Sequence, residues 1–462
     1  MKFDKLIADK AFYKSTLAIA IPIMIQNGIT NFVNMLDNIM VGQIGTAQMS
    51  GVAIVNQIMF VFIISIFGAC SGAGIFTAQY HGNNDANGVR DTTRFKIIIG
   101  SIIAILTIIV FKIYDDKLIS LFLQKDDSMG NVELALSSAK TYLSVMVFGI
   151  IPTTFIQIYS STLRETGETV VPMKAGSIAV ITNLILNYIL IFDHFGHKGL
   201  GVAGAAIATV VSRYIEVLII ICWTHRHKDE NLFAIGLYKT FRLPLSFMLK
   251  ISKKGFPLMM NEILWSLGST TLVQCYSVRG LTAVAAINIA NTIANVFNIV
   301  FIAMGSAVAI IIGQLLGSGK TKEAKDTDTK LIFFSTALCA VIGLIVIILA
   351  PLFPKMYNTE PIVKETATYL IMTIGVLMPV HSYLHTTYFT LRSGGKTFIT
   401  FLFDSGFMWF ITLPVAFFLS RKTSLHIIPL YIICQSTDLL KTIIGYILLK
   451  KDIWINNIVS DT

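Results

Sequence analysis

The chain has 462 residues, of which 54% are hydrophobic and only 13% charged, with a net charge of +10. Such a composition excludes a soluble globular protein and predicts an integral membrane protein. The positive balance needs no nucleic acid, because loop cations on one side of a bilayer account for it.

A hydrocarbon core about 30 Å thick takes about 20 helical residues per crossing. Twelve segments qualify, at residues 15–41, 51–80, 95–114, 135–163, 170–192, 199–224, 249–278, 281–316, 331–354, 365–391, 397–419 and 426–449. Runs of this length read as helices, since barrel strands are about ten alternating residues. Most Lys and Arg fall in alternate connections, among them Arg90 to Lys96, Arg226 to Lys254 and Lys320 to Lys330. That bias predicts a multi-pass protein of the cytoplasmic (plasma) membrane with both termini in the cytoplasm. The initial apolar run is too long for a signal-peptide core and is taken as the first span.

The first span carries the most expensive residues. Asn27, Asn31, Asn34 and Asn38 recur on one helical face, and Asp37 stands beside them with Thr30 and Asn34. In hydrocarbon such a face is expensive unless it meets a hydrated cavity, and an intramembrane carboxylate is a functional candidate by default. The alternative is that Arg213 or the amides simply neutralise Asp37. Pro22, inside the same helix, removes a backbone hydrogen bond and predicts a kink. Glu216 lies three residues from Arg213, and Asp438 three from Lys441, so each acid is expected to pair along its own helix.

In the second half, Glu262 of span seven has Ser266 and Ser269 below it on the same face. Span eight repeats the amide device with Asn288, Asn291, Asn295 and Asn298, as a cavity wall or as inter-helix hydrogen bonds. His381 and His385 lie one turn apart in span ten, and Asp404 sits in span eleven. Two histidines alone make a poor metal site, and cavity hydrogen bonding is the expected role. Gly317-Ser-Gly-Lys320-Thr321 imitates a phosphate loop, but Gln314 stands where its first glycine belongs and no strand precedes it. Cys70, Cys222, Cys275, Cys339 and Cys434 are scattered singly in apolar segments, which argues against zinc and a disulfide framework. No hydrolase constellation stands out, and the chain is not expected to be an enzyme.

The two halves resemble each other. At a constant offset of 235, the difference between Pro22 and Pro257, Gly45 meets Gly280, Asn56 meets Asn291, Gln79 meets Gln314 and Gly82 meets Gly317. Later, Thr141-Tyr142-Leu143 meets Thr368-Tyr369-Leu370, and Thr162-Leu163-Arg164 meets Thr390-Leu391-Arg392. A duplicated unit with an even number of spans keeps its orientation, so the copies are related by an axis along the membrane normal. The predicted fold is all-α integral membrane, with twelve transmembrane helices in two six-helix lobes related by pseudo-twofold symmetry. The lobes are residues 1–230 and 251–462, joined by a cytoplasmic linker at 231–250.

On these residues the chain resembles the multidrug and toxic compound extrusion (MATE) transporters over nearly its whole length. The resemblance is carried by Leu36-Asp37-Asn38-Ile39-Met40-Val41-Gly42-Gln43-Ile44-Gly45 and by the paired Leu-Arg-x-x-Gly turns at Leu163 and Leu391. Asn183-Leu-Ile-Leu-Asn187-Tyr-Ile-Leu-Ile-Phe192 and Gly201-Val-Ala-Gly-Ala-Ala-Ile-Ala-Thr209 add to it. It implies secondary active, cation-coupled antiport that exports amphipathic or cationic organic compounds by alternating access. It also implies Asp37, Asn183, Asn187 and Thr209 as a coupling site, Pro22 as a hinge, and Glu262 as a second coupling carboxylate. An exporter branch of the family pairs that glutamate with an aspartate at the position of His381 here. Asn187 and His381 thus remove carboxylates that sodium sites in the family use, which tilts the expected ion from Na⁺ toward H⁺. Asn34, His381, Asn288, Asn291 and Asp404 are the expected cavity and substrate residues. A monomer in the lipid bilayer without cofactor or bound metal is implied, its partner a small organic molecule. The alternative is a lipid or lipid-linked oligosaccharide flippase of the same superfamily, which would have a strongly cationic cavity.

Overall fold

A computed structural model describes residues 6–121, 129–192 and 199–460, apart from the side chains of Asn34 and residues 129–131. Among the described residues twelve long helical stretches follow one another. They are α1 (Lys10–Gly42), α2 (Thr46–Gly82), α3 (Ala86–Ser120), α4 (Val132–Glu165), α5 (Val170–Ile191) and α6 (Val202–Arg226). Then come α7 (Leu245–Ser277), α8 (Leu281–Gly317), α9 (Thr321–Leu349), α10 (Pro361–Ser393), α11 (Thr397–Lys422) and α12 (Ile427–Lys450). Eleven are long and apolar enough to cross a membrane by length and composition alone. The remaining one, α7, has its apolar run diluted by Lys250, Lys253, Lys254 and Glu262. Several helices outrun the segments read from hydropathy. Polar first turns continue the helix, as in α3, where Asp85 accepts hydrogen bonds from the Asn87 and Gly88 amides at 3.0 and 2.9 Å.

The duplicated Leu-Arg-x-x-Gly motif is a helix stop. The Gly167 amide bonds the Arg164 carbonyl at 3.0 Å and the Glu168 amide bonds that of Leu163 at 2.8 Å. In the second copy Gly395 bonds Arg392 at 2.8 Å and Lys396 bonds Leu391 at 3.2 Å. This double closure needs a left-handed residue, and Gly167 and Gly395 supply it at φ +96° and +69°.

The chain divides into two compact units. One contains Ile25–Thr77 and Asp85–Gly255, and the other Met1–Met24, Ala78–Asn84 and Phe256–Thr462. The divisions therefore fall inside α1, two residues after Pro22, and inside α2 between Thr77 and Ala78. In the first unit, α5 and α6 approach closely because Gly204 lies against the Leu190 carbonyl. The segment after α6 is docked rather than loose. Arg94 donates to the carbonyls of Leu237 and Gly236 at 2.9 and 2.7 Å, and Phe233 and Leu237 are buried.

The second unit is built on an apolar cluster that includes Leu272, Ala286, Ile371, Met378, Leu430 and Cys434. Its most telling contact joins the α2 tip to the end of α8. A Cβ on Gly82 would strike the Gln314 carbonyl, and one on Gly317 would strike that of Gln79. Gln79 and Gln314 are repeat mates, as are Gly82 and Gly317, so each repeat presents the same glycine to the other's glutamine carbonyl. The segment that imitates a phosphate loop is thus the turn after this crossing. The C-terminal stretch then covers the same ends, with Trp454 buried and Gln79 Nε2 donating to the carbonyls of Ser393 and Asn456 at 2.9 and 3.1 Å.

Candidate functional site

Within the unit holding 25–77 and 85–255, five helices enclose a cavity of about 380 Å³. Thr30, Asp37 and Asn38 enter it from α1, Asn56 from α2 and Tyr142 from α4. Asn183 and Asn187 come from α5, and Thr209, Arg213 and Glu216 from α6. Met59, Phe60 and Met146 supply apolar wall.

The four residues implied as a coupling site form one hydrogen-bonded chain. Asn187 Nδ2 donates to Asp37 Oδ1 at 2.6 Å and to Asn183 Oδ1 at 3.1 Å. Asn183 Nδ2 donates to Thr209 Oγ1 at 3.3 Å, and the Thr209 hydroxyl is held by the Ala205 carbonyl at 3.0 Å. Asn183 and Asn187 are one turn apart on α5 and both buried, so a single helical face presents the two amides. Asn187 Oδ1 is buried and has no partner among the described residues. A buried acceptor left unmatched is a point where a donor or a hard cation gains most. Arg213 does not bond Asp37 directly; its Nη1 lies 2.8 Å from Glu216 Oε2, the pairing expected from their spacing. Tyr142 and the apolar wall were not legible as site residues, because nothing in an apolar segment says which face meets a cavity.

The second unit holds another polar cluster, with different partners from those expected. Lys441 pairs with Asp404 at 2.8 Å and not with Asp438. Two wide turns in α11, at Leu402–Gly406 and Met408–Thr412, change the register of that helix beside α12. Asn261 Nδ2 donates to the other Asp404 oxygen at 3.0 Å, while Asn261 also holds Ser405. Asp438 faces His381 instead, with Nε2 at 3.4 Å from the carboxylate. Glu262 has Arg392, Asp404 and Tyr388 around it. His381 of α10 thus sits beside Asp438 of α12. His385 packs edge-on against Phe301 at 4.9 Å, and no group of three His, Cys, Asp or Glu among the described residues could hold a metal.

Asn288 and Asn295 are exposed and Asn291 and Asn298 half-buried. No hydrogen bond from these side chains to a neighbouring helix is found among the described residues. The side chain of Asn34, the remaining cavity residue expected, lies outside the described residues.

Fold and cavity define a polytopic membrane protein built from a duplicated six-helix bundle. The chain belongs to the MatE family, whose model matches residues 22–189 and again 257–418. The two matches begin at Pro22 and Pro257, in the register of the internal repeat. The chain is similar to a probable multidrug resistance protein NorM of Thermotoga maritima, with 24% identity over 91% of this chain and 88% of that one. It is also similar to a probable multidrug resistance protein YoeA of Bacillus subtilis, with 22% identity over 91% and 89%. Among solved structures, the outward-facing conformation of a multidrug resistance MATE family transporter of the MOP superfamily superposes with a TM-score of 0.84. It has 18% identity and covers 97% of both chains.

Proposed function

We propose that this protein is a secondary active exporter in the plasma membrane, which uses the entry of a cation at Asp37 to drive organic solutes out. The observation that carries the reading is the Asp37–Asn187–Asn183–Thr209 chain opening on a 380 Å³ cavity. That volume falls in the range of small-molecule sites, about 300–1,000 Å³. Methionine and phenylalanine walls adapt to solutes of differing shape, which suits amphipathic cations. The multidrug resistance proteins among its relatives support the substrate class.

Coupling requires that the cation change what the cavity offers the solute. An empty Asp37 presents a carboxylate to an organic cation, and a loaded one does not, so the two ligands exclude each other and are exchanged. H⁺ is favoured over Na⁺ because Asn187 leaves one carboxylate in the chain where a sodium site gains from two. Pro22 is the hinge of this cycle; it weakens α1 two residues before the division between Met24 and Ile25. Both termini are cytoplasmic in this scheme, and the protein works as a monomer. The flippase alternative calls for an excess of cations in the cavity. Arg213 is matched by Glu216 and Lys441 by Asp404, which favours the exporter.

The test is efflux of a fluorescent organic cation from proteoliposomes driven by a pH gradient alone or a Na⁺ gradient alone. Wild type should respond to the pH gradient. Asp37→Asn should reconstitute normally and lose gradient-driven efflux. Unchanged efflux in that variant would sink the assignment.

A further inference from the structure

The cavity contains a charge that the coupling scheme does not use. Thr209 and Arg213 are one turn apart on α6, and Arg213 and Glu216 line the same cavity as Asp37. The Arg213–Glu216 pair is lopsided, with Glu216 3% exposed and the arginine side chain 37% exposed. A buried acid thus anchors a guanidinium that projects into the cavity. Among the described residues one of its five N–H donors is engaged, which leaves donors for a second acceptor. Asp37 receives Asn187 on Oδ1, leaving Oδ2 for another donor.

The charged residues lining the cavity are Asp37 from α1 and Arg213 and Glu216 from α6. The groups facing them from α2, α4 and α5 are Asn56, Tyr142, Asn183 and Asn187, and behind the lining the Arg164 guanidinium of α4 acts on Glu216. With Asp37 ionised the cavity therefore holds one net negative charge, and with Asp37 protonated it holds none.

We propose that Arg213 is a movable counter-cation, anchored by Glu216 and drawn to Asp37 when the proton leaves, which takes the place of a metal ion and makes the cavity selective for H⁺ over Na⁺. The inference rests on Asp37 being the coupling carboxylate. A sodium ion needs several hard oxygens free of competing donors. Here Asn187 Nδ2 already donates to the one carboxylate, and a guanidinium tethered one side chain away and drawn to the ionised acid competes at high effective concentration. A proton meets no such obstacle. It moves from water to an Asp37 oxygen, an O–H bond forms, the charge disappears and Arg213 settles on Glu216. Deprotonation reverses each step. One net negative charge admits one monovalent organic cation, whose apolar body rests on Met59, Phe60 and Met146 while its ammonium displaces the guanidinium. Na⁺ brings no apolar surface with which to offset that displacement.

The measurement is equilibrium binding of radioactive Na⁺ to the purified full-length protein, with choline as the balancing cation. Wild type and Arg213→Lys should show no saturable binding. Arg213→Gln/Glu216→Gln keeps the net charge of the cavity but has no movable cation, and it should gain saturable Na⁺ binding. Adding Asp37→Asn should abolish that gain. In proteoliposomes the same double variant should export under a Na⁺ gradient, to which wild type should be silent. Arg213→Gln alone is the second background, should the double variant not fold. The inference is overturned if wild type binds Na⁺ saturably, or if both arginine-free variants fold without acquiring Na⁺ binding. If Asp37→Asn alone transports like wild type, the coupling site itself is misplaced; if it abolishes transport while Na⁺ binding never appears, only the role of Arg213 falls.

Discussion

Lys441 lies in an apolar span, with 11% of its side chain exposed, and is bonded to Asp404 of the neighbouring helix. Removing two charges from water is expensive, and their attraction repays it only when both are present. Lys441→Met should therefore destabilise the protein by about 3–5 kcal/mol, because it strands the Asp404 carboxylate. Lys441→Met/Asp404→Asn should recover most of that loss. Unfolding in detergent, followed by fluorescence-detected size exclusion, measures both, and equal damage in the two variants would remove the pair from the account. Residue spacing had matched Lys441 with Asp438, three positions away. It missed because a helical neighbour rule sees one helix, whereas the wide turns at Leu402–Gly406 alter the facing helix. The same rule succeeded for Arg213 and Glu216, whose pairing is along one helix. Asp37 was legible for a different reason: a carboxylate in hydrocarbon is costly wherever its partners lie.

At the scale of elements, the repeat was the most informative signal. It anticipated that Gly82 and Gly317 are equivalent, and the fold gives the reason, since each makes room for the other copy's glutamine carbonyl. Helices approach this closely only where no side chain intervenes. Gly317→Val should force the crossing apart and lower stability by about 1–3 kcal/mol. Gly406→Ala is the control, because its new methyl would meet side chains and backbone only at ordinary contact distances of 3.4 Å and more. Thermal unfolding of the two purified variants should separate them; equal midpoints would mean that the crossing tolerates expansion. What periodicity did not supply was the length of the helices. A hydropathy run ends where the bilayer ends, whereas backbone hydrogen bonding continues through polar turns such as Ala86–Arg94.

At the scale of the whole molecule, the C-terminal stretch was the least legible part. Lys450 and Lys451 read only as loop cations, and the residues after them have neither helical nor strand periodicity. Their structural role depends on partners distant in sequence, which no local pattern records. Trp454 is 1% exposed, the Ile458 amide donates to Gln79 Oε1 at 2.8 Å, and Asn457 Nδ2 donates to the Gly317 carbonyl at 3.1 Å. Asp452 is paired with Lys325 at the start of α9. One short segment thus ties the α2 tip, α8, α9 and α10 into a single unit, although the rest of α2 belongs to the other. Truncating a fully buried tryptophan removes its transfer free energy and leaves a cavity, so Trp454→Ala should lower stability by about 3–5 kcal/mol. Gln79→Ala should lower it by about 1–3 kcal/mol, because the buried Ile458 amide loses its acceptor. Hydrogen exchange distinguishes this fastening from simple packing. If the stretch holds the α2 tip in place, both variants should speed exchange at residues 78–84 as well as at 454–458. Exchange confined to 454–458 would mean that the tail lies on the unit without holding it together.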